Sequence, residues 1–507
     1  MPDLITDITK RRIGLGVDLL WIISVIAIFT FLVSLIPLFP NDFWWHLKIG
    51  EIIYTTGEIP RTNMFSWTLG RDYPYVYGAW LGEFLFYIFY KIGGVPFIVF
   101  IRNILALLSF LLIGIEAKRR CNSWRIAGFV VMIACVIGSN NTVLRPQNFA
   151  WIPFVIFYIF LSRFSDKALR PSWLFVLPFT MAFWVNVHGS FILGIVLLGI
   201  FVIGELIRKL IKQEGSLEWK QLGWLLVTGF LTFLSSLANP EFYKIYIYVN
   251  KLVTDKSVNS LSLEWKSPVP DSYPMIVFFL SILLMIVIFI YTSHRITPTE
   301  ILLILAFIWE SWSGVRYVFW YGIVVMPILA RPIKGLIKKP GWLAVPPPKM
   351  VNLIIAIVLF IPVIVVQPWF VDHLPLPQGY AKNVIRNSGF GPLLEKYTPI
   401  GAAKYLKQHP GGKLWNDMVF GSFLIWYAPE QSIFADTRTE LYDYPYWLDY
   451  VRVCNGVRSI ELLEQYGVDR VLLNTAGQPE LKLLLEKNPS WKLEYSDEIS
   501  QIWKKNQ

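Results

Sequence analysis

Apolar residues in this chain are gathered into long runs separated by short polar connections. About eleven runs, at 17–39, 94–115, 125–139, 147–163, 172–186, 189–208, 221–238, 274–292, 299–314, 316–331 and 350–368, approach the ~20 helical residues that cross a bilayer. A helix that is apolar on all sides has no face to offer water. The pattern therefore predicts an all-α polytopic membrane domain of about eleven transmembrane helices over 1–369. Two connections are long, 40–93 and 239–273. After Trp369 the pattern changes. Lys413–Asn416, Gly421–Tyr427, Ser432–Asp436 and Val468–Asn474 read as short strands, and 445–455, 459–466 and 478–487 carry helical spacing. This alternation predicts a small α/β domain with a mostly parallel sheet over 370–507.

Composition agrees. The chain is 55% hydrophobic and only 16% charged, against about 25% charged in soluble domains, with a mean hydropathy of +0.50. A formal charge of +11 would suggest nucleic acid if it formed a patch, but it does not. Of 46 basic and 35 acidic residues, 15 and 16 fall after residue 371, so the excess belongs to the connections between apolar runs. With the N-terminus cytoplasmic, the inside connections collect Lys10, Arg11, Arg12, Lys118, Arg119, Arg120, Arg125, Arg163, Lys167, Arg170, Arg208, Lys209, Lys212, Lys220, Arg295, Arg331, Lys334, Lys338, Lys339 and Lys349. The short outside connections hold only Arg145 and Arg316. The positive-inside rule then predicts a multi-pass plasma-membrane protein embedded in the lipid bilayer, with both long loops and the C-terminal domain extracytoplasmic. Cys121, Cys135 and Cys454 fall in a loop, a span and the tail, so neither a disulfide framework nor a metal cluster is indicated. The first apolar run is too long for a signal-peptide core and reads as a first span.

Loop 40–93 carries the candidate chemistry. Asn41 or Asp42 can cap a helix that runs to about Thr56 and stops at Gly57. Ile49, Ile52 and Ile53 line one side, and Trp44 and Trp45 suit the headgroup level, so this helix is expected along the membrane surface. Asp42 and His46, at i and i+4, share one face and bring a carboxylate and an imidazole together. Plainer readings stand beside this one: Asp42 as a cap only, and His46 as an interfacial polar tip.

The run Asp42-Phe-Trp-Trp-His-Leu-x-x-Gly-Glu-Ile-Ile, then Gly57-Glu-Ile-Pro-Arg-Thr-Asn-Met-Phe-Ser-Trp and Trp80-Leu-Gly-Glu-Phe-Leu, resembles GT-C-type glycosyltransferases. The resemblance continues through Arg145-Pro-Gln-Asn-Phe, Trp184-Val-Asn-Val-His-Gly-Ser, Ala238-Asn-Pro-Glu, Glu264-Trp-Lys-Ser-Pro and Asp436-Thr-Arg-Thr-Glu-Leu-Tyr. Such enzymes are multispan proteins that use polyprenyl-phosphate-linked sugars, and they include protein O-mannosyltransferases, aminoarabinose transferases and the catalytic subunit of oligosaccharyltransferases. The resemblance implies a polyprenyl-phosphate-linked sugar donor and an extracytoplasmic acceptor, which is a glycan, a lipid or a protein. By position it makes Asp42 the catalytic base or the ligand of a divalent cation (Mg or Mn). Many relatives carry two adjacent acids there, where this chain has Asn41-Asp42.

Glycosyl transfer from a lipid phosphate needs a base for the acceptor and cations for the departing phosphate. Asp42 and His46 are the candidate catalytic groups. Arg145 and Arg316, at span ends, and Arg102, inside a span where a charge is costly, are the candidate phosphate ligands. Glu310 is a counter-ion for Arg102 or Arg316. Trp44, Trp45, His188, Glu264, Asp436 and Arg438 are the candidate acceptor or sugar contacts. Each has a plainer reading: a structural ion pair or snorkelling for the arginines, a hinge for His188, an internal salt bridge for Asp436 with Arg438. Two other classes stay open. In-span charges also mark a transporter or flippase, although no duplicated halves with matched broken helices are visible. The Asn41 departure suits a non-catalytic assembly subunit.

Overall fold

A computed structural model describes residues 15–70, 72–337, 349–367 and 394–506. The helical part comprises α1 (Val17–Ser34), α2 (Phe43–Thr56), α3 (Trp80–Cys121), α4 (Trp124–Gly138), α5 (Trp151–Ser165), α6 (Val176–Val187), α7 (Ile192–Leu210) and α8 (Trp219–Ser235). It continues through α9 (Lys244–Thr254), α10 (Lys256–Leu261), α11 (Tyr273–Tyr291), α12 (Pro298–Ser313), α13 (Val318–Leu336) and α14 (Met350–Val365). All eleven predicted spans coincide with helices. Seven segments among the described residues are long and apolar enough to cross a membrane, which makes this a multi-pass membrane protein. The other four, α6, α8, α12 and α14, have only 12, 17, 16 and 16 residues, so the count of eleven exceeds what length and apolarity support.

Two expectations in the first loop are corrected. Residues 80–92 are helical and join the span behind them; Gly93 and Gly94 break the run, with Gly94 at φ 66°, a conformation glycine adopts freely. Helix α2 does not leave its apolar side free for lipid. Phe43, Trp44, Trp45, His46, Leu47, Ile49 and Ile53 are all buried, because α3 covers one face and the C-terminal part covers another. Trp44 meets Phe423 edge-on at 4.9 Å, so neither tryptophan is free to sit among headgroups.

Connections predicted to share one side of the membrane do meet at one end of the bundle. Glu116, its side chain fully buried, receives Arg119, Arg120 and Arg163. Asp166 receives Arg119 and Arg331, and Glu300 receives Arg120. Buried charges persist only when paired in this way. The network ties the ends of α3, α5, α12 and α13 together.

The C-terminal part comprises α15 (Ile400–Gln408), β1 (Leu414–Asn416), α16 (Met418–Tyr427), α17 (Tyr444–Cys454), α18 (Ser459–Gln465), β2 (Arg470–Asn474), α19 (Pro479–Lys487), β3 (Trp491–Ser496) and β4 (Ser500–Lys505). The predicted boundary at 369–370 lies outside the described residues. The sheet runs β1-β2-β4-β3. Only β1 and β2 are parallel; the other two pairs are antiparallel, so the sheet is mixed rather than mostly parallel. Residues 421–427 form a helix, not a strand. A short apolar run does not distinguish the two, and here Asp417 settles it by accepting the Val419 and Phe420 N–H groups as an N-cap. Residues 432–436 form no sheet strand either. Ile433 bridges Ser66 instead, and Trp67 Nε1 donates to the Leu414 carbonyl at 2.9 Å. The first loop is thereby stitched to the C-terminal part.

Candidate active site

A cavity of about 620 Å³ opens where α2, the turn before α5, the α6–α7 hinge, the second long loop, the α12–α13 junction and residues 437–440 converge. Asp42 lines it at the head of α2. Its backbone is already helical and its carboxylate makes no cap bond, which removes the capping alternative. The carboxylate instead lies 3.2 Å from Nε of Arg145. That Nε makes no hydrogen bond, so the contact is ionic rather than directional.

Arg145 is held by the Asn148 side chain, which accepts its backbone N–H at 2.9 Å. Its Nη1 donates to Glu264 of the second loop, so one guanidinium joins two carboxylates. Burial pulls the arginine value down, but Glu264 and Asp42 together hold it above the ordinary range. Burial alone would raise Glu264; Arg145 outweighs it and holds the carboxyl below its usual value. Arg316 also lines the cavity. Its guanidinium stacks on Trp265 at 4.6 Å, and no carboxylate pairs with it among the described residues. A delocalised cation on an aromatic face keeps its fork free for an oxyanion.

His46 lines the cavity one turn beyond Asp42. Its ring lies on Trp45, centroids 3.5 Å apart, and Nδ1 is 2.9 Å from Glu83 Oε1. His188 Nδ1 accepts the Ser190 backbone N–H at 3.1 Å, which leaves the proton of a neutral ring on Nε2. Arg438 is fully buried. Nε and Nη2 grip Asp436 at 2.8 and 2.6 Å, and Nη1 donates to Tyr77 at 3.2 Å. Glu440 accepts from Tyr75 at 2.6 Å and, more weakly, from Tyr248 at 3.4 Å. Burial raises its carboxyl above the ordinary value, opposed by the Tyr75 hydrogen bond.

No protein-family model matches the sequence, and no curated protein matches it. Solved structures do. The archaeal oligosaccharyltransferase AglB from Archaeoglobus fulgidus, in complex with an inhibitory peptide and a dolichol-phosphate, superposes with TM-score 0.52 at 11% identity, over 96% of this chain and 74% of that one. ArnT from Cupriavidus metallidurans, bound to undecaprenyl phosphate, gives 0.50 at 15% identity, over 95% and 97%. Both are GT-C glycosyltransferases. The fold is GT-C.

Within the GT-C fold, Asp42, Trp45, His46, Arg145, His188, Glu264, Glu310, Arg316 and Arg438 share one cavity lining. Three other expected residues do not reach it. Arg102 is buried away from the cavity, with Nη2 on the Val33 carbonyl at 2.8 Å and both Nε and Nη2 on Asn103; it closes the end of α1. Trp44 packs on Phe423, and Asp436 stands behind Arg438. Glu310 pairs with neither Arg102 nor Arg316. Sequence reasoning missed Glu83 and Glu440, although each lies inside a motif that carried the resemblance. Their signal was a carboxylate beside an apolar or aromatic run, which a burial argument could have singled out.

The metal expectation fits poorly. Among the described residues no three His, Cys, Asp or Glu side chains converge. Asp42 and Glu264 are both taken by the Arg145 guanidinium.

Proposed function

We propose that this protein is a membrane glycosyltransferase that moves a sugar from a polyprenyl-phosphate-linked donor to an extracytoplasmic acceptor, a glycan, a lipid or a protein. One observation carries the reading. A carboxylate, a bridging arginine and a second arginine with no carboxylate partner among the described residues line the same cavity in a GT-C fold. Asp42 is the base. It faces the acceptor hydroxyl and takes part in removing its proton while the acceptor oxygen bonds to the sugar anomeric carbon. The bond from that carbon to the phosphate oxygen breaks, and the electron pair leaves with the phosphate.

Charge therefore builds on the phosphate as the bond lengthens, and fixed cations stabilise that stage more than the ground state. Arg316 suits this task better than Arg145, because the two carboxylates already neutralise Arg145. The roles of AglB and ArnT, solved with a dolichol-phosphate and with undecaprenyl phosphate, support a polyprenyl phosphate as the lipid carrier. Among the described residues no convergent ligand set for a divalent cation surrounds Asp42, and no step is assigned to one.

The test is consumption of a panel of polyprenyl-phosphate sugars by membranes carrying the wild type or Asp42→Asn. The reading expects one donor to be consumed by the wild type and spared by the variant. Equal consumption by both removes Asp42 from the mechanism; no consumption of any donor in the presence of candidate acceptors overturns the enzyme reading.

A further inference from the structure

Glu83 is a carboxylate with an unexplained cost. It sits in the first turn of α3, 1% exposed. Oε1 meets His46 Nδ1 at 2.9 Å, and Oε2 is buried with no hydrogen-bond partner. A buried carboxylate oxygen left unpaired is destabilising, so burial for stability alone does not account for this residue. The surroundings are built to bring the two groups together. Gly50, one turn beyond His46 on α2, lies so close to α3 that an added Cβ would stand 2.0 Å from the Glu83 carbonyl oxygen. Gly82 likewise packs against the Val187 carbonyl and Pro146. The Trp45 ring fixes the plane of the imidazole.

We propose that Glu83 is the positioning residue for His46, holding its proton on Nδ1 so that Nε2 is the free proton acceptor of the site. This rests on the glycosyl-transfer reading and deepens it. A carboxylate behind one ring nitrogen fixes the tautomer and stabilises the imidazolium that forms. Asp42 lies against Arg145, one helical turn before His46. It takes the acceptor proton as the acceptor oxygen bonds to the anomeric carbon and the phosphate departs with the electron pair, and the proton then passes to His46 Nε2. The charged and titratable groups around His46 are Glu83 from α3, Arg145 from the turn before α5, Arg438 from the C-terminal part, His188 from the α6–α7 hinge and Asp42 from its own helix. Burial holds His46 below the ordinary imidazole value, opposed by Glu83. That direction favours the neutral ring, the form that accepts a proton.

The deciding experiment is 15N NMR of the full-length protein in lipid nanodiscs with labelled histidine, the His46 signals assigned by His46→Gln among the five histidines. The proposal expects Nδ1 protonated and Nε2 bare at neutral pH in the wild type. In Glu83→Gln the imidazolium loses its carboxylate, so His46 titrates at lower pH. A proton found on Nε2, or an unchanged titration in a folded Glu83→Gln variant, overturns it. Glu83→Asp, which keeps the charge but withdraws it by one methylene, falls between the two, and covers the case in which Glu83→Gln does not fold. In turnover, Glu83→Gln lowers kcat about 10- to 100-fold with the donor KM unchanged; a loss confined to KM overturns the positioning role. If the wild type consumes no donor, the glycosyl-transfer reading fails, while the NMR arm still decides whether Glu83 sets the His46 tautomer.

Discussion

Nε of Arg145 lies 3.2 Å from Oδ2 of Asp42, so the residue at the head of α2 is one arm of an ion pair rather than a helix cap. Arg145 reaches on to Glu264, and the three residues come from three separate connections. This arrangement has consequences for each residue in turn.

Removing the Asp42 charge should abolish chemistry with little effect on the fold. Asp42→Asn keeps the side-chain shape, and Arg145 retains Glu264. A partly exposed ion pair contributes on the order of 1 kcal/mol or less, so the melting temperature should move by no more than a few degrees. Turnover should fall by about two orders of magnitude or more, the loss general acid–base catalysis accounts for. Donor consumption measured beside thermal melting of the same preparation checks both halves of the prediction.

Arg316 should govern the donor rather than the stability of the protein. Among the described residues it has no carboxylate to leave behind, so Arg316→Ala strands no buried charge there. Loss of a fork-shaped phosphate ligand predicts roughly a 10- to 100-fold drop in kcat/KM. Arg316→Lys keeps the charge but loses both the fork and the stacking on Trp265, and should recover only part of the activity. Full recovery with lysine would mean that a point charge suffices.

Glu264 gives a pH signature. Arg145 holds its folded value below the ordinary carboxylate value. The pair therefore contributes stability above the unfolded value of Glu264, and that contribution is lost as pH falls through the depressed folded value. Glu264→Gln should melt below the wild type at pH 7, and the gap should close as the pH drops below the ordinary carboxylate range. Its side chain is 37% exposed, so screening keeps the effect small. A gap that widens in acid would contradict the assignment.

How much of this was legible in the sequence depended on the kind of signal. Hydrophobic runs located eleven helices, seven of them long and apolar enough to cross a membrane, because lipid-facing segments such as α11 must be apolar along their whole length. Charge asymmetry grouped Arg119, Arg163 and Arg331, which do meet at one end. Burial between elements was not legible. Trp44 and Trp45 look the same to periodicity whether they face headgroups or Phe423. Likewise, Arg102 looks functional until its partner, the Val33 carbonyl, is seen. Residues 421–427 misled for a related reason, since their helix is fixed by the Asp417 cap rather than by spacing. Side-chain type singled out Asp42, His46, Arg145 and Arg316, which line one cavity. It could not find Glu83, whose importance lies in a contact 37 residues away in sequence.

The packing behind that contact offers a further test that does not touch a titratable group. At Gly50 an added methyl would lie 2.0 Å from the Glu83 carbonyl oxygen, 2.8 Å from its carbon and 3.0 Å from Tyr87 Cβ. Backbone cannot rotate aside as a side chain does, so α2 must move away from α3. Overpacking of this kind costs about 1–3 kcal/mol. The same movement draws His46 off Glu83 and Asp42 off Arg145. Gly50→Ala should therefore lower both the melting temperature and turnover, although alanine favours helix by about 1 kcal/mol over glycine. Gly223 in α8 is the control, since an added Cβ there meets nothing within 4 Å, and Gly223→Ala should be neutral or slightly stabilising with full activity. If Gly50→Ala behaves like that control, the close approach of α2 to α3 is not what sets the His46 and Glu83 geometry.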